Sequence, residues 1–404
     1  MIFAIQRFPK PEFETGYVEP ETWLPLPRAE FLTWLDVAVL LVALSLAAWL
    51  VLKKRSRFGV MLLSLFSLVY FGFYREGCVC SIGAIQNVSL GLFSNFYTVP
   101  LIVLIFFLAP LIFTLLFGRG FCAAVCPFGA MQDLVAFRPM RMPDWLNAFL
   151  GMIPLLYLGM AVLLAANASD FIICRYDPFV GIFRLNATFG MFVFAALLLI
   201  SGVFIARPYC RFLCPYGVLL GWVSRFSWKH MTITPSKCIQ CRLCENSCPY
   251  DAIDYPLLKT NPSDRKKRSD LLVLYILLIP LLIASGVVIG HMLSGTFAAT
   301  HSKVRMAEML QTTTASVAPE LPEITAFRSS GMSQEQLFAE VEAIRQRFQT
   351  GSWIYGGFTG LVFALTLIGL MRTRFRTDYV PNRERCFSCG RCMDFCPVRK
   401  DEQS

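Results

Sequence analysis

Long apolar blocks constrain this chain more than any other feature. They run at about residues 35–52, 59–74, 97–117, 149–166, 189–206, 271–290 and 354–371. Each approaches the roughly 17–25 apolar residues that a helix needs to cross a bilayer. Lipid offers the backbone no hydrogen-bond partner, so such segments fold as helices. The composition agrees, with 56% hydrophobic and 16% charged residues. An ordinary soluble domain carries about 25% charged residues. The expected fold is an all-α polytopic membrane protein with about seven transmembrane helices.

A net charge of +10 raises nucleic acid as a partner, but the basic residues cluster at block ends. They are KKRSR (Lys53–Arg57), DRKKR (Asp264–Arg268) and RTRFR (Arg372–Arg376). This is the positive-inside pattern of membrane proteins, so the expected contact is lipid and no nucleic acid. Counted along the blocks, all three clusters fall on the cytoplasmic side and the N-terminus falls outside. The expected localisation is the inner (cytoplasmic) membrane, multi-pass.

The chain divides accordingly. Residues 1–34 form a polar, proline-rich extracytoplasmic arm without the features of a signal peptide. Residues 35–226 form a five-helix core, and 227–268 a first cysteine-bearing segment. Residues 269–371 form a two-helix hairpin with an extracytoplasmic loop at 291–353, and 372–404 a second cysteine-bearing segment. Within the loop, SQEQLFAEVEAIRQRF predicts a helix opened by a Ser333/Gln336 capping box. Leu337, Val341, Ile344 and Phe348 then share one apolar face, more readily packed on this chain than on a partner.

The two segments share one motif. CIQCRLCENSCP spans Cys238–Pro249 and CFSCGRCMDFCP spans Cys386–Pro397. Each reads C-x2-C-x2-C-x3-C-P, the ferredoxin-type ligand run of a [4Fe–4S] cluster. Two spans lie between them, so both runs are expected on the cytoplasmic side as one ferredoxin-like 2[4Fe–4S] unit. In one pairing Cys238, Cys241 and Cys244 take Cys396, and Cys386, Cys389 and Cys392 take Cys248. In the other, each run holds its own cluster. Zinc is the bland rival for four cysteines, and the spacing with its closing CP disfavours it.

A second repeat carries fewer cysteines. GRGFCAAVCPFGAMQ (Gly118–Gln132) resembles RPYCRFLCPYGVLL (Arg207–Leu220). The i, i+4 spacing of Cys122 with Cys126, and of Cys210 with Cys214, sets both thiols of a pair on one face of a helix. Together they offer an additional cluster, a copper site or a redox dithiol. Structural cysteines are the plain alternative. Arg119, Arg207 and Arg211 nearby are expected to lower the thiol pKa values. Cys78, Cys80 and Cys174 fall on the outer side, as an electron exit, part of a metal site, or a disulfide with one spare thiol. Only three histidines exist, too few near spans for paired haem ligands. No phosphate-binding loop, dinucleotide fingerprint or hydrolytic triad appears. The chain reads as an electron-transfer component with no catalytic residues of its own, not a stand-alone catalyst.

The order of these motifs resembles the NosR/NirI family of membrane polyferredoxins. The resemblance rests on RFPKPEF, GYVEP, KKRSR, SLVYFGFYREGCVCSIGAIQN, GRGFCAAVCPFGAMQD, YDPFVGIF, RPYCRFLCPYG and both ferredoxin runs. It covers about residues 8–398, the membrane and ferredoxin portion of the family, and extends more loosely to NapH- and CcoG-like proteins. NosR-type proteins usually begin with a large flavin-binding domain, where this chain has its short arm, so FMN is expected only through a partner. The resemblance implies two [4Fe–4S] clusters and electron transfer between a cytoplasmic donor or quinol and an extracytoplasmic flavoprotein or metalloenzyme, as in nitrous-oxide reduction. The alternative is a copper-reduction, assembly or redox-regulatory factor built on the CxxxCP cysteines.

Overall fold

A computed structural model describes residues 29–77, 81–94, 97–137, 139–233, 239–256, 262–312, 327, 333–371 and 379–397. Most of the N-terminal arm, Cys78, Cys80, Cys238 and the cluster Arg372–Arg376 lie outside the described residues. The fold is helical, and the chain is a membrane protein. Helices α1 (Glu30–Leu52), α2 (Arg57–Tyr74) and α6 (Asp144–Ala166) are long and apolar enough to cross a bilayer. So are α9 (Pro262–Ala298), through its stretch Ile276–Ala298, and α10 (Gln334–Met371). Shorter apolar helices are α3 (Ser81–Phe93), α4 (Leu101–Phe117) and α7 (Phe189–Phe204). Helices α5 (Pro127–Val135) and α8 (Pro215–Ser224) follow the two CxxxCP motifs.

All seven expected blocks are thus helical. Two of them, α4 and α7, have 17 and 16 residues, about 25 Å at 1.5 Å per residue. The chain runs alternately between two ends of the bundle. The turns after α1, α4 and α7 lie at the end that holds the cysteine runs, called here the cysteine end. Gly390 of the second run lies beside Arg57 there, and Gly118 beside Ser388.

Helix α3 is the element that the apolar blocks do not announce. Its 13 residues span about 20 Å, too short to cross. It begins inside the bundle, where the Ser81 hydroxyl donates to the Phe106 carbonyl at 2.8 Å. It finishes at the opposite end, where Gly91 sits beside Val99. Helix α3 is therefore a re-entrant element of the bundle.

Helices α9 and α10 form a hairpin with backbones in direct contact. A Cβ on Gly286 would strike the Gly356 carbonyl, and one on Gly360 would strike that of Leu282. Gly286-x3-Gly290 and Gly356-x3-Gly360 are the small-residue stripes that let membrane helices approach closely. Beyond the hairpin, α10 starts with the expected capping box. Gln336 N–H donates to Ser333 Oγ, and Ser333 N–H to Gln336 Oε1, both at 3.2 Å. Leu337 and Val341 pack on Val304 and Ala307 of helix Ser302–Thr312, and Phe348 on Leu164 and Ala298. That face of the helix is occupied by the chain itself.

At the cysteine end a short antiparallel ladder joins the two separated segments. Ile253 pairs with Pro381 and Asp254 with Val380, in strands β1 (Ile253–Asp254) and β2 (Val380–Pro381). Asn382 N–H extends it by donating to the Ala252 carbonyl at 2.7 Å.

Candidate metal centres

Each CxxxCP motif folds as a turn, a break and a new helix. In the first, Phe121–Val125 forms a wide π-type turn, Cys126 is extended (ψ 118°), and Pro127 opens α5. In the second, Pro208–Phe212 is a short helix, Cys214 is extended (ψ 110°), and Pro215 opens α8. The expectation of two thiols on one helical face is therefore corrected. A residue before proline is driven out of the α region, while proline itself suits a first helical turn. The break falls at the second cysteine of each motif.

The thiols gather all the same. Cys122, Cys126 and Cys214 are buried, Cys210 is half-buried, and none is in a disulfide. The electrostatic neighbours of Cys214 are Cys210, Cys126 and Cys122. Polar hydrogens point at the sulfurs. Gln132 Nε2 donates to Cys210 Sγ and Gly217 N–H to Cys214 Sγ, each at 3.3 Å. A glycine three residues after the second cysteine lets the chain pass close to the first cysteine's carbonyl in both motifs. A Cβ on Gly129 would lie 2.8 Å from the Cys122 carbonyl, and one on Gly217 3.1 Å from that of Cys210. Gly129→Ala is expected to destabilise by about 1–3 kcal/mol through overpacking. Gly190→Ala, with nothing within 4 Å, is the neutral control, and thermal melting in detergent compares them.

Two buried arginines bind this group to the ferredoxin segments. Arg207 is fully buried in a left-handed conformation (φ 52°). Its guanidinium donates to both Asp133 carboxylate oxygens, to the Cys122 carbonyl, and to that of Ala123 at 3.3 Å. It lies 5.7 Å from the Tyr250 ring and 5.5 Å from that of Phe387. Tyr250 donates to Asp133 at 3.1 Å. Arg119 donates to the Glu384 carbonyl at 2.7 Å and to that of Gly217 at 3.2 Å. Its third contact is Cys122 Sγ at 3.9 Å, and it lies 4.2 Å from the Phe387 ring. Tyr250, just after the first ferredoxin run, and Phe387, within the second, have ring centres 4.8 Å apart.

The arginines do not lower the Cys210 thiol as expected. Burial pushes it up, the thiols of Cys126 and Cys122 add to that, and Arg207 only partly opposes them. Burial likewise raises Cys214, with Cys210 the next cause. Desolvation outweighs the cations because Arg207 spends its charge on Asp133.

The ferredoxin runs share one backbone pattern. Gln240 and Arg242 are left-handed in the first, and Ser388 and Gly390 hold the same conformation at the matching positions of the second. Alternating left-handed residues turn successive N–H groups inward, into the anion-binding nest that suits an iron–sulfur cluster. Ala252 N–H donates to Cys248 Sγ and Ser388 N–H to Cys386 Sγ, each at 3.4 Å. Cys248 of the first run stands among the second. Cys386 has Cys389 and Cys248 as neighbours, and Cys392 has Cys389, Cys386, Cys248 and Cys244. Burial pushes the Cys386 thiol up to about 12 and raises Cys248, Cys389 and Cys392. Such thiols ionise when a metal takes the place of the proton. Cys241 is exposed and Cys396 half-buried. Among the described residues no group of three or more Cys, His, Asp or Glu is set to hold a single metal ion. A four-iron cube takes its thiolates at separate corners and asks for a wider spread.

At the opposite end Cys174 is exposed. Its N–H and that of Ile173 donate to Gln86 Oε1 at 3.4 and 3.1 Å. It borders a cavity of about 210 Å³ with Thr33, Asp36, Arg75, Asn87 and Asp177. Asp36 lies buried within α1, paired with Arg75 at 2.8 Å and accepting from Tyr70 at 2.8 Å. Sequence reasoning passed over Asp36, Asp133, Asp177, Tyr209 and Tyr250. The one signal for Asp177 was YDPF, since Asp before Pro is a helix-capping pattern.

Known proteins match these same regions. A family described as 4Fe-4S binding domain matches residues 99–147 and 186–233. Two further 4Fe-4S binding domain families match 231–254 and 383–399. Protein NirI of Paracoccus denitrificans is 32% identical over 53% of this chain and 33% of its own length. Regulatory protein NosR of Stutzerimonas stutzeri is 27% identical over 60% of this chain and 39% of its own. Putative electron transport protein YccM of Escherichia coli is 30% identical over 35% of this chain and 44% of its own. The matches thus cover less than half the length of each of these relatives. No solved structure matches the chain.

Proposed function

We propose that this chain, which belongs to the NosR/NirI-type polyferredoxin family, relays electrons across the membrane between a cytoplasmic or quinol donor and an extracytoplasmic redox partner. The coarser function is that of a membrane iron–sulfur electron-transfer protein. One observation carries the finer reading: two cysteine groups, in different parts of the chain, meet across Arg119, Arg207, Tyr250 and Phe387.

Cys386, Cys389, Cys392 and Cys248 would hold one [4Fe–4S] cluster, and Cys238, Cys241, Cys244 and Cys396 the other. Cys122, Cys126, Cys210 and Cys214 would hold a third centre. Such centres supply one-electron redox chemistry when bound. The chain does the rest. Burial of Cys122, Cys126, Cys214 and Cys244 keeps water from those sulfurs, the N–H donors to sulfur favour the reduced, more negative state, and the arginines offset charge between the two groups. The expected partner is an extracytoplasmic flavoprotein or metalloenzyme of a denitrification-type system, with FMN on the partner. Cys174 belongs to the opposite end, where such a partner would dock.

The test is iron and acid-labile sulfide per chain on anaerobically purified protein, with EPR of the reduced form. Wild type is compared with a Cys122/Cys126/Cys210/Cys214→Ser quadruple variant. A wild-type iron content above the roughly eight atoms of two [4Fe–4S] clusters, falling to that level in the variant, supports the relay. About eight in both, with copper bound through these thiols, favours the assembly reading. Zinc in place of iron overturns electron transfer altogether.

A further inference from the structure

The hydrocarbon layer is about 30 Å thick, and the four-cysteine group lies toward one end of the bundle. The segment 167–188, from the other end, folds inward toward that group. Its helices Ile172–Tyr176 and Pro178–Phe183 bring aromatic rings against both CxxxCP motifs. Phe179 lies 5.8 Å from Phe128 and 5.1 Å from Tyr209, and Phe183 lies 5.6 Å from Phe128. Phe128 is two residues after Cys126, and Tyr209 immediately precedes Cys210.

A hydrogen-bonded line runs through these rings. Tyr209 Oη donates to Asp177 Oδ2 at 2.7 Å, with both side chains buried. Asp177 Oδ1 accepts from the N–H groups of Phe179 and Val180 at 2.9 and 3.3 Å, which fixes the carboxylate. On the other side Tyr209 N–H donates to Gln132 Oε1 at 3.0 Å, and Gln132 Nε2 donates to Cys210 Sγ. Asp177 also lines the 210 Å³ cavity, together with Cys174, Asp36 and Arg75. From the Cys210 sulfur to the cavity wall the groups are packed and bonded in sequence.

We propose that Tyr209 and Asp177 are positioning residues that couple the four-cysteine group to this cavity, and that the cavity is the port where electrons pass to a compact one-electron acceptor. The inference rests on the reading that the four-cysteine group holds a redox centre. In the step one electron would pass from the centre those thiolates would hold to the acceptor, and no bond would form or break. Tyr209 holds the Cys210 arm in place, and Asp177 holds Tyr209 against the cavity wall.

The experiment uses the full chain in phosphatidylcholine–phosphatidylglycerol vesicles, with ferricyanide trapped inside and dithionite outside. Tyr209→Phe keeps the ring and its packing and removes the hydroxyl bond to Asp177, and Asp177→Asn weakens the same bond. Both are expected to lose transmembrane flow while keeping wild-type iron content and wild-type EPR of the ferredoxin clusters. In Tyr209→Phe the EPR signal of the four-cysteine centre is expected to shift, which a change in vesicle permeability would not produce. Val103→Trp, at a lining residue that is not itself part of the hydrogen-bonded link, narrows the cavity and should slow ferricyanide reduction and leave that signal unmoved. Wild-type flow in Tyr209→Phe, or undiminished ferricyanide reduction in Val103→Trp, overturns the proposal. A wild type that holds only the ferredoxin clusters, or passes no electrons, overturns the relay itself. Should Asp177→Asn lose iron, Tyr209→Phe carries the test alone.

Discussion

Arg207→Ala is expected to lose the metal centre proposed for the four-cysteine group and to loosen the whole cysteine end. Arg207 is completely buried and satisfies the carbonyls of Cys122 and Ala123 as well as Asp133. Truncation leaves those carbonyls without their donor and a cavity beneath Tyr250 and Phe387. Breaking a buried pair costs about 3–5 kcal/mol. The Asp133 side chain is 36% exposed and can recover some water, which places the loss toward the lower figure. Even so, it is a large share of the roughly 5–15 kcal/mol that holds a domain together. Arg207→Lys keeps the charge without the planar fork, so it should rank between alanine and wild type. Iron per chain and the melting midpoint in detergent measure the series. Equal iron content in all three proteins would show that the arginine is a passive part of the fold.

Gly356→Leu is expected to part the α9–α10 hairpin and, with it, the ferredoxin unit. A side chain at Gly356 has the Gly286 carbonyl and the Gly290 backbone in its place, and backbone cannot step aside as a flexible side chain can. Overpacking of ordinary cores costs about 1–3 kcal/mol, and a clash against backbone belongs at the upper end. Both ferredoxin segments hang from this hairpin, Pro262 opening α9 and Met371 closing α10. The expected signature is selective. The EPR signals of the ferredoxin clusters fall and the β1–β2 region becomes open to protease, while the centre proposed for Cys122, Cys126, Cys210 and Cys214 remains. Gly369→Leu, at a helical position with nothing within 4 Å, should behave as wild type.

Sequence reasoning found the elements that local chemistry dictates. The apolar blocks, the Ser333/Gln336 cap and the face of Leu337, Val341 and Phe348 all depend on residues a few positions apart. The cysteine runs were legible for the same reason, since a cluster needs its ligands at fixed short spacing. Helix α3 was not, because SIGAIQNVSLGLF is too short and too polar for a span. The inward fold of 167–188 and the arginine clamp escaped as well. Both exist only through contacts between residues tens to hundreds of positions apart, such as Arg119 with Glu384 and Tyr209 with Asp177. The CxxxCP geometry was misjudged for a local reason: proline's grip on the residue before it outweighed the helical spacing.

The β1–β2 ladder has a bearing on how the protein is made. Ile253 meets Pro381 only after both hairpin helices have been synthesised and inserted. Chains begin to fold from the N-terminus during translation, so Cys122, Cys126, Cys210 and Cys214 can come together first. Cys248 meets Cys386, Cys389 and Cys392 only when the second run has left the ribosome. A truncated or wrongly threaded chain then presents the first run without the second and no closed site. Closure of the second run against Cys248 then reports that α10 has reached the membrane.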